Sequence, residues 1–400
     1  MTSLRRKRKR LLFHTPRFFD VFRRNTEAVS FLGNHATLYR FGSEFFPPLL
    51  EAIAQAKSTV CLEFYAVCDD ATGRAVADAL IAAAGRGVRV FLLYDYIGCF
   101  DTTGAFFKKL VKGGVSCCSF NPPPFARGLG WFDKRNHRKI AVIDGSCAFT
   151  GGINIADVYS GFGSGGEAGN ASNWRDVGIR IEGPAVLELL RLFRESWRDE
   201  CGTYPAGCEV TEPPAVAGDA KVMVITGGPH HKRSFIRSAF RVAIAGASES
   251  VTIANPYFIP GPRVLRSLLR AAGRGVQVRL LLPHKSDVPL VRLVSRSYYA
   301  QLLKNGIEIF ELDSAVLHAK VLLIDEKWVM VGSANLDQRS FHRNYELNVV
   351  VDSDDFGARV AEMLEADLKG ARRIALYEHE QRGWSVRLLE RLCSPVSWFL

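Results

Sequence analysis

Apolar runs of strand length alternate with amphipathic stretches of helical period through most of this 400-residue chain. From about Leu38 the pattern predicts an ordered α/β series. Glu44 to Ile53 opens a helix, with Pro47 and Pro48 near its first turn, where a missing N–H costs little. Val60 to Tyr65 reads as a strand. Asp69, Asp70 and Gly73 then turn the chain into a helix that is apolar at Val76, Leu80, Ile81 and Ala84. Gly85-Arg86-Gly87 ends it before the buried strand Val88 to Asp95. A helix over 105–111 and a short strand at Val115 follow. The second half repeats the order: helix 234–245, strand 250–255, helix from Pro260 to Ala272, strand 278–282, helix 298–305, strand 307–310. Its Ala271-Ala272-Gly273-Arg274-Gly275-Val276-Gln277-Val278 nearly copies Ala83-Ala84-Gly85-Arg86-Gly87-Val88-Arg89-Val90.

A second echo is sharper. Asn136-His137-Arg138-Lys139-Ile140-Ala141-Val142-Ile143-Asp144 returns as Leu317-His318-Ala319-Lys320-Val321-Leu322-Leu323-Ile324-Asp325. Downstream, Gly151-Gly152-Ile153-Asn154 is matched by Gly332-Ser333-Ala334-Asn335. The copies are offset by 188 residues at Val88/Val276 and by 181 at His137/His318, so one α/β domain has been duplicated with loops of differing length. Alternation along a strand puts His137 and Lys139 on one face, and His318 and Lys320 likewise. Asp144 and Asp325, five residues on, point the other way and are expected to brace the turn. The expected organisation is a basic lead-in over 1–35, domains over 36–205 and 219–370, a linker rich in Pro, Gly and Ala over 206–218, and an amphipathic tail over 371–400.

Histidine and lysine two apart, four apolar residues, aspartate, then Gly-(Gly/Ser)-x-Asn, all present twice, resembles the phospholipase D superfamily. The chemistry of the residues agrees. With one His-Lys pair from each domain, a site forms at the domain interface, where Lys139, Lys320, Asn154, Asn335 and Ser333 hold a phosphodiester. One histidine attacks phosphorus to give a phosphohistidine; the other, across the phosphorus, protonates the leaving alcohol. An alcohol or water attacks second. Asp176 in Asn173-Trp174-Arg175-Asp176 and Glu346 in Asn344-Tyr345-Glu346 stand where carboxylates would fix the histidine tautomers. No metal or cofactor is needed, and no His/Cys set has zinc spacing.

Composition narrows the partner. A net charge of +11 and a pI near 9.3 call for an anionic one: nucleic acid, anionic lipid or phosphorylated substrate. No apolar run reaches the length of a membrane span. The lead-in interleaves Arg5 to Arg10 and Arg17, Arg23 and Arg24 with Leu11, Leu12, Phe13, Phe18, Phe19 and Phe22, the composition of a solvated tail or of a segment lying on an anionic bilayer. In the tail Val386, Leu388, Leu389, Leu392 and Cys393 gather to one side of a helix, to bind membrane or to pack on the core. The nine cysteines are read as reduced thiols, though Cys201 and Cys208 could bridge in an oxidising compartment.

Between residues 36 and 370 the resemblance becomes specific. Tyr39-Arg40-Phe41-Gly42-Ser43-Glu44, Leu62-Glu63-Phe64-Tyr65, Asn255-Pro256-Tyr257-Phe258 and Asn344-Tyr345-Glu346-Leu347-Asn348 are similar to bacterial cardiolipin synthases of the short type without N-terminal transmembrane helices. That resemblance implies two phospholipase D-like domains, each a mixed sheet flanked by helices. It implies phosphatidyl transfer between two phosphatidylglycerols with loss of glycerol, on the cytoplasmic side of the bacterial membrane, without nucleic acid. It puts His137, Lys139, Asp144, His318, Lys320 and Asp325 in the active site, with His137 the nucleophile. A lipid hydrolase is the near rival, a nucleic-acid phosphodiesterase the distant one; a catalytically dead scaffold is disfavoured because no motif His or Lys is lost. The glycine-rich stretch from Ser160 to Asn173 is expected to gate lipid entry.

Overall fold

The computed structural model describes residues 12–13, 15–123, 133–160, 174–209, 214–231 and 233–393. The basic run 5–10 and the glycine-rich stretch 161–173 lie outside them. One fifteen-stranded sheet runs through both halves. Its order from one edge is Arg372–Arg373, Glu308–Leu312, Gln277–Pro283, Ser250–Ala254, Val321–Ile324, Trp328–Gly332, Glu346–Asp352, Ala220–Gly227, Val29–Tyr39, Gly178–Glu182, Cys147–Gly151, Ile140–Ile143, Thr59–Phe64, Arg89–Asp95 and Ser116–Phe120. Apart from the first short edge strand the order is palindromic about the central pair. Each strand of one half has its counterpart at the same distance on the other side, so the duplication has become a pseudo-two-fold axis.

The βαβ units form where periodicity predicts them. Thr59–Phe64 lies parallel to Arg89–Asp95 across the helix Ala71–Gly85, which Asp70 caps by accepting the Gly73 N–H at 2.9 Å. Ser250–Ala254 lies parallel to Gln277–Pro283 across the helix Gly261–Ala272. Both faces of the central strands are buried, which is why they read as continuous apolar runs instead of alternating.

Several expectations need correcting. The described residues before 36 are not a separate lead-in: Val29–Tyr39 is a central strand, paired antiparallel to both Ala220–Gly227 and Gly178–Glu182. It reads poorly in the sequence because only Asn34 and Tyr39 are fully buried along it. Before it, Thr15 caps the helix Pro16–Thr26, whose Phe18 and Phe22, with Phe13, are wholly buried around Trp328. Those three rings belong to the core of the second half and cannot enter a bilayer. Burying each is worth roughly 1.5–3 kcal/mol, more than an interfacial contact would return. The tail is likewise anchored at its start, where Arg372–Arg373 pairs with the edge strand Glu308–Leu312. Cys201 joins Cys118 in a disulfide, while the Cys208 thiol lies 3.3 Å from that of Cys61. Tertiary proximity decides which thiols meet, and spacing along the chain does not.

Candidate active site

Each His-x-Lys segment comes just before its strand, Ile140–Ile143 or Val321–Ile324. Buried acids anchor the first segment. Asp95 accepts the Asn136 N–H at 2.8 Å and lies 3.3 Å from the Arg135 guanidinium, and Glu63 accepts from the Asn136 amide at 2.7 Å.

The two halves then exchange backbone. His137 N–H donates to the Tyr345 carbonyl at 2.9 Å, and Tyr345 N–H to the Arg135 carbonyl at 2.9 Å. On the other side Val316–Leu317 pairs in parallel with Trp174–Arg175, and His318 N–H donates to the Arg175 carbonyl at 2.8 Å. Arg175 is itself held by Asp367 of the second half at 2.8 Å. The residue after each of these partners is a carboxylate. The pairing is therefore crossed: Glu346 Oε2 accepts from His137 Nδ1 at 3.0 Å, and Asp176 Oδ2 from His318 Nδ1 at 2.6 Å. A carboxylate on Nδ1 leaves Nε2 of each ring as the reactive nitrogen. Both histidines line one cavity of about 520 Å³, together with Tyr65, Asn154, Tyr159, Trp174, Tyr257, Asn335 and Asp337.

The lysines lie behind the rings. Lys139 Nζ donates to the His137 carbonyl at 2.8 Å and sits 5.3 Å from the Tyr65 ring centre. Lys320 Nζ bonds the His318 carbonyl and lies 2.7 Å from His318 Nδ1. Burial, and then Lys320, push Lys139 down to about 7; burial pushes Lys320 down to about 8. Burial, followed by Lys320, lowers His318 to about 4, and burial lowers His137 as well. For Glu346 burial acts the other way, but His137, Lys139 and Ser333 outweigh it and hold the carboxyl below its usual range. Burial therefore disfavours the charged forms of both imidazoles and both ammonium groups, and a phosphodiester anion beside them would favour those forms again.

Not every expected residue reaches this cavity. Asp144 accepts the backbone N–H groups of Lys57, Ser58 and Thr59 at 2.8–2.9 Å, and Asp325 those of Ser248, Glu249 and Ser250. Both therefore brace the start of Thr59–Phe64 or Ser250–Ala254, at the far end of those strands from the cavity. Each sits in the left-handed region, φ 52° and 50°, and this turns its carboxylate back over the loop. Their placement in the active site, implied by the resemblance, is corrected. Ser333 does not face the cavity either: its hydroxyl donates to Glu346 and accepts the Leu347 N–H at 3.0 Å. Its counterpart Gly152 is packed on the other carboxylate, where a Cβ would come within 2.2 Å of Asp176 Oδ1. The asymmetry between Gly152 and Ser333 therefore concerns how each carboxylate is held. Asn154 lines the wall with its amide engaged by Tyr159 and Ala66, whereas the buried Oδ1 of Asn335 has no partner among the described residues.

Sequence reasoning missed the aromatic walls and two further donors. Tyr65 meets His137 edge-on at 5.1 Å, and Trp174 and Tyr159 pack on His318 at 4.7 and 5.5 Å. Ser340 Oγ and the Asn344 amide complete the hold on Glu346 at 2.8 and 3.2 Å. Asn344, two residues before Glu346 on the same side of an extended segment, was legible; Ser340, on a short helix, was not. Among the described residues no group of His, Cys, Asp and Glu has the arrangement of a metal site, and no helix is long and apolar enough to cross a membrane.

The chain is similar to known proteins in sequence and in fold. The family described as "Cardiolipin synthase, PLD-like domain" matches residues 49–167 and again 240–368. "Cardiolipin synthase 2" of Bacillus anthracis is 35% identical over 377 residues, covering 92% of this chain and 71% of that protein. "Cardiolipin synthase A" of Pseudomonas syringae pv. syringae (strain B728a) is 36% identical over 375 residues, 91% and 75% of the two chains. The crystal structure of phosphatidylserine synthase from Haemophilus influenzae Rd KW20 superposes with a TM-score of 0.73 over 95% of this chain and 99% of that one, at 13% identity, a likeness of fold alone.

Proposed function

The chain belongs to the phospholipase D-like cardiolipin synthase family, and on that premise we propose that it makes cardiolipin from two phosphatidylglycerols with release of glycerol. The crossed His137–Glu346 and His318–Asp176 pairs around one cavity are the observation that carries this. Nε2 of one histidine attacks the phosphorus of the first phosphatidylglycerol. The bond from phosphorus to the headgroup oxygen breaks, and glycerol leaves with a proton from Nε2 of the other histidine. The phosphatidyl group is now on nitrogen. A headgroup hydroxyl of the second phosphatidylglycerol gives its proton to that other histidine and attacks phosphorus; the P–N bond breaks and cardiolipin departs.

His137 is the proposed nucleophile, on the resemblance that assigns it. His318 is then the acid, and must be protonated against the burial that disfavours its cation. The substrate's phosphate charge beside Nε2 acts in that direction. Asn335 and Asn154 line the cavity that takes the phosphate, and Lys139 and Lys320, behind the rings, add positive charge from outside its lining.

His137→Ala and His318→Ala are each expected to abolish glycerol release from phosphatidylglycerol while the protein still folds, at a cost of about 1–3 kcal/mol for the buried carboxylate left short of a donor. Acid quenching should trap phosphate on one histidine. Near-normal turnover in either variant would sink the one-site, two-domain mechanism. Water in place of the second lipid would give phosphatidic acid, so resolving the lipid products separates synthase from hydrolase.

The enzyme is further proposed to work as a peripheral protein on the cytoplasmic face of the membrane, since its substrates keep their acyl chains in the bilayer. Sidedness has its own test. A protease that cannot cross the membrane should leave the enzyme uncut in intact spheroplasts and cut it after lysis, and cleavage before lysis would place it on the other face.

A further inference from the structure

Five arginines of the second half stand together with no acid among them. Arg237 and Arg241 lie one turn apart on the helix Phe235–Gly246, and Arg263, Arg266 and Arg270 follow at spacings of three and four on the helix Gly261–Ala272. Those spacings put each set on one helix face, and the two helices pack against each other. Arg237, Arg263 and Arg266 line an open cavity of about 690 Å³ with Tyr298, Gln338 and His342. Arg263 and Arg266 also line a smaller one, of about 200 Å³, with Arg241, Arg270 and Ser267.

Arg237 bonds His342 at 2.8 Å. Among the described residues the guanidiniums of Arg241, Arg263, Arg266 and Arg270 have no hydrogen-bond or ion-pair partner. Burial and then the neighbouring guanidiniums lower Arg237 and Arg241, and His342 is lowered by burial and then by Arg237 and Arg263. Like charges this close, without counter-ions, work against the fold. Their arrangement has a purpose only if an anion sits on it.

The position of the cluster says which anion. Ile259 and Pro260 of the larger cavity follow Tyr257 of the catalytic cavity, and Gln338 follows Asp337. Tyr298 ends the helix Pro289–Ser297, whose Val291 lines the catalytic cavity. On that helix packs the helix Trp384–Cys393, with Cys393 against the cluster of Ile259, Val291 and Val294. Trp384, Leu388, Leu389 and Leu392 remain 73%, 47%, 47% and 66% exposed. Unpaired cations and exposed apolar side chains thus both adjoin elements that line the catalytic cavity. A bilayer with anionic headgroups satisfies both. Nucleic acid satisfies only the cations.

We propose that the arginine cluster and the exposed side of the helix Trp384–Cys393 form one surface that docks the catalytic cavity onto an anionic phospholipid bilayer, the guanidiniums taking lipid phosphates. The choice of lipid rests on the function proposed above; the surface itself does not.

The test uses the full chain and sedimentation with vesicles of equal phosphatidylglycerol and phosphatidylcholine, against phosphatidylcholine alone. The triple variant Arg241→Gln, Arg263→Gln, Arg266→Gln should lose about 100-fold in partitioning to the anionic vesicles, at about 1 kcal/mol or roughly fivefold per cation. Trp384→Ser with Leu388→Ser should weaken it at least about tenfold, with less sensitivity to salt. Both should turn over dihexanoyl phosphatidylglycerol, dissolved as monomers, within about twofold of the parent. His137→Ala should bind vesicles as the parent does, so a failure of the proposed chemistry leaves the docking result readable. Unchanged vesicle binding in the triple variant overturns the proposal. So does a fluorescent single-stranded oligonucleotide that binds the parent more tightly than the vesicles do and is lost in the triple variant, which would make the cluster a nucleic-acid site.

Discussion

Glu346→Gln is the most informative change at the site, because it keeps shape and removes one acceptor. The Glu346 carboxylate is fully buried and takes four donors on two oxygens: His137 Nδ1 and Ser333 Oγ on Oε2, Ser340 Oγ and the Asn344 amide on Oε1. An amide there must turn an N–H₂ toward one of these pairs. Facing His137, it forces Nδ1 to accept and moves the ring proton to Nε2, which blocks the nitrogen that must attack. Facing Asn344, it sets donor against donor, and His137 keeps its tautomer but loses the charge that stabilises its cationic form. A mis-set acid–base group costs about 10² to 10⁴ in rate, or roughly 2.7–5.5 kcal/mol of barrier. The buried donor left unmatched costs about 1–3 kcal/mol of stability, which this core can bear. The assay is kcat for glycerol release from monomeric dihexanoyl phosphatidylglycerol, with thermal unfolding alongside and a pH profile for each protein. Glu346→Asp keeps the charge but draws it back by about one carbon–carbon bond, roughly 1.5 Å, and should fall between parent and amide. A folded Glu346→Gln enzyme within about threefold of the parent, with the same pH profile, would show that the carboxylate does not position His137.

Gly152→Ser should inactivate the enzyme by at least about 10², since its Cβ would land 2.2 Å from Asp176 Oδ1 and push that carboxylate off His318; full activity would mean the contact is not needed. Affinity for sulfate, an anion that does not titrate, should fall by at least about tenfold between pH 6 and 9. The charge of the protonated lysines behind the rings attracts it, and that charge is lost as pH rises through about 7 for Lys139 and about 8 for Lys320. Flat sulfate binding over that range, by calorimetry or as competitive inhibition, would refute this electrostatic account. Phe22→Ala should cost about 3–5 kcal/mol in denaturant unfolding, because the ring is wholly buried against Trp328 at 5.3 Å; a cost under about 1 kcal/mol would return the N-terminal helix to the surface.

The duplication, the α/β order and both His-x-Lys segments were legible in the sequence because each is a local pattern. Four apolar residues after a lysine make a strand wherever the chain goes, and a segment that occurs twice declares its own symmetry. The same locality explains what failed. Val29–Tyr39 is half-exposed along much of its length, so its place at the centre of the sheet depends on partners about 140 to 195 residues away. Phe13, Phe18 and Phe22 are interleaved with arginines, and only the groove around Trp328 makes them core. Asp144 and Ser333 sit in the repeated motif for structural reasons that the motif does not display. The crossing of the carboxylates was beyond any local reading. Which histidine takes Glu346 and which takes Asp176 depends on Tyr345 lying beside His137 and Arg175 beside His318, contacts made across the pseudo-two-fold axis. Spacing along a chain can say which residues share a strand face; only the docking of two domains can bring one domain's acid to the other's base.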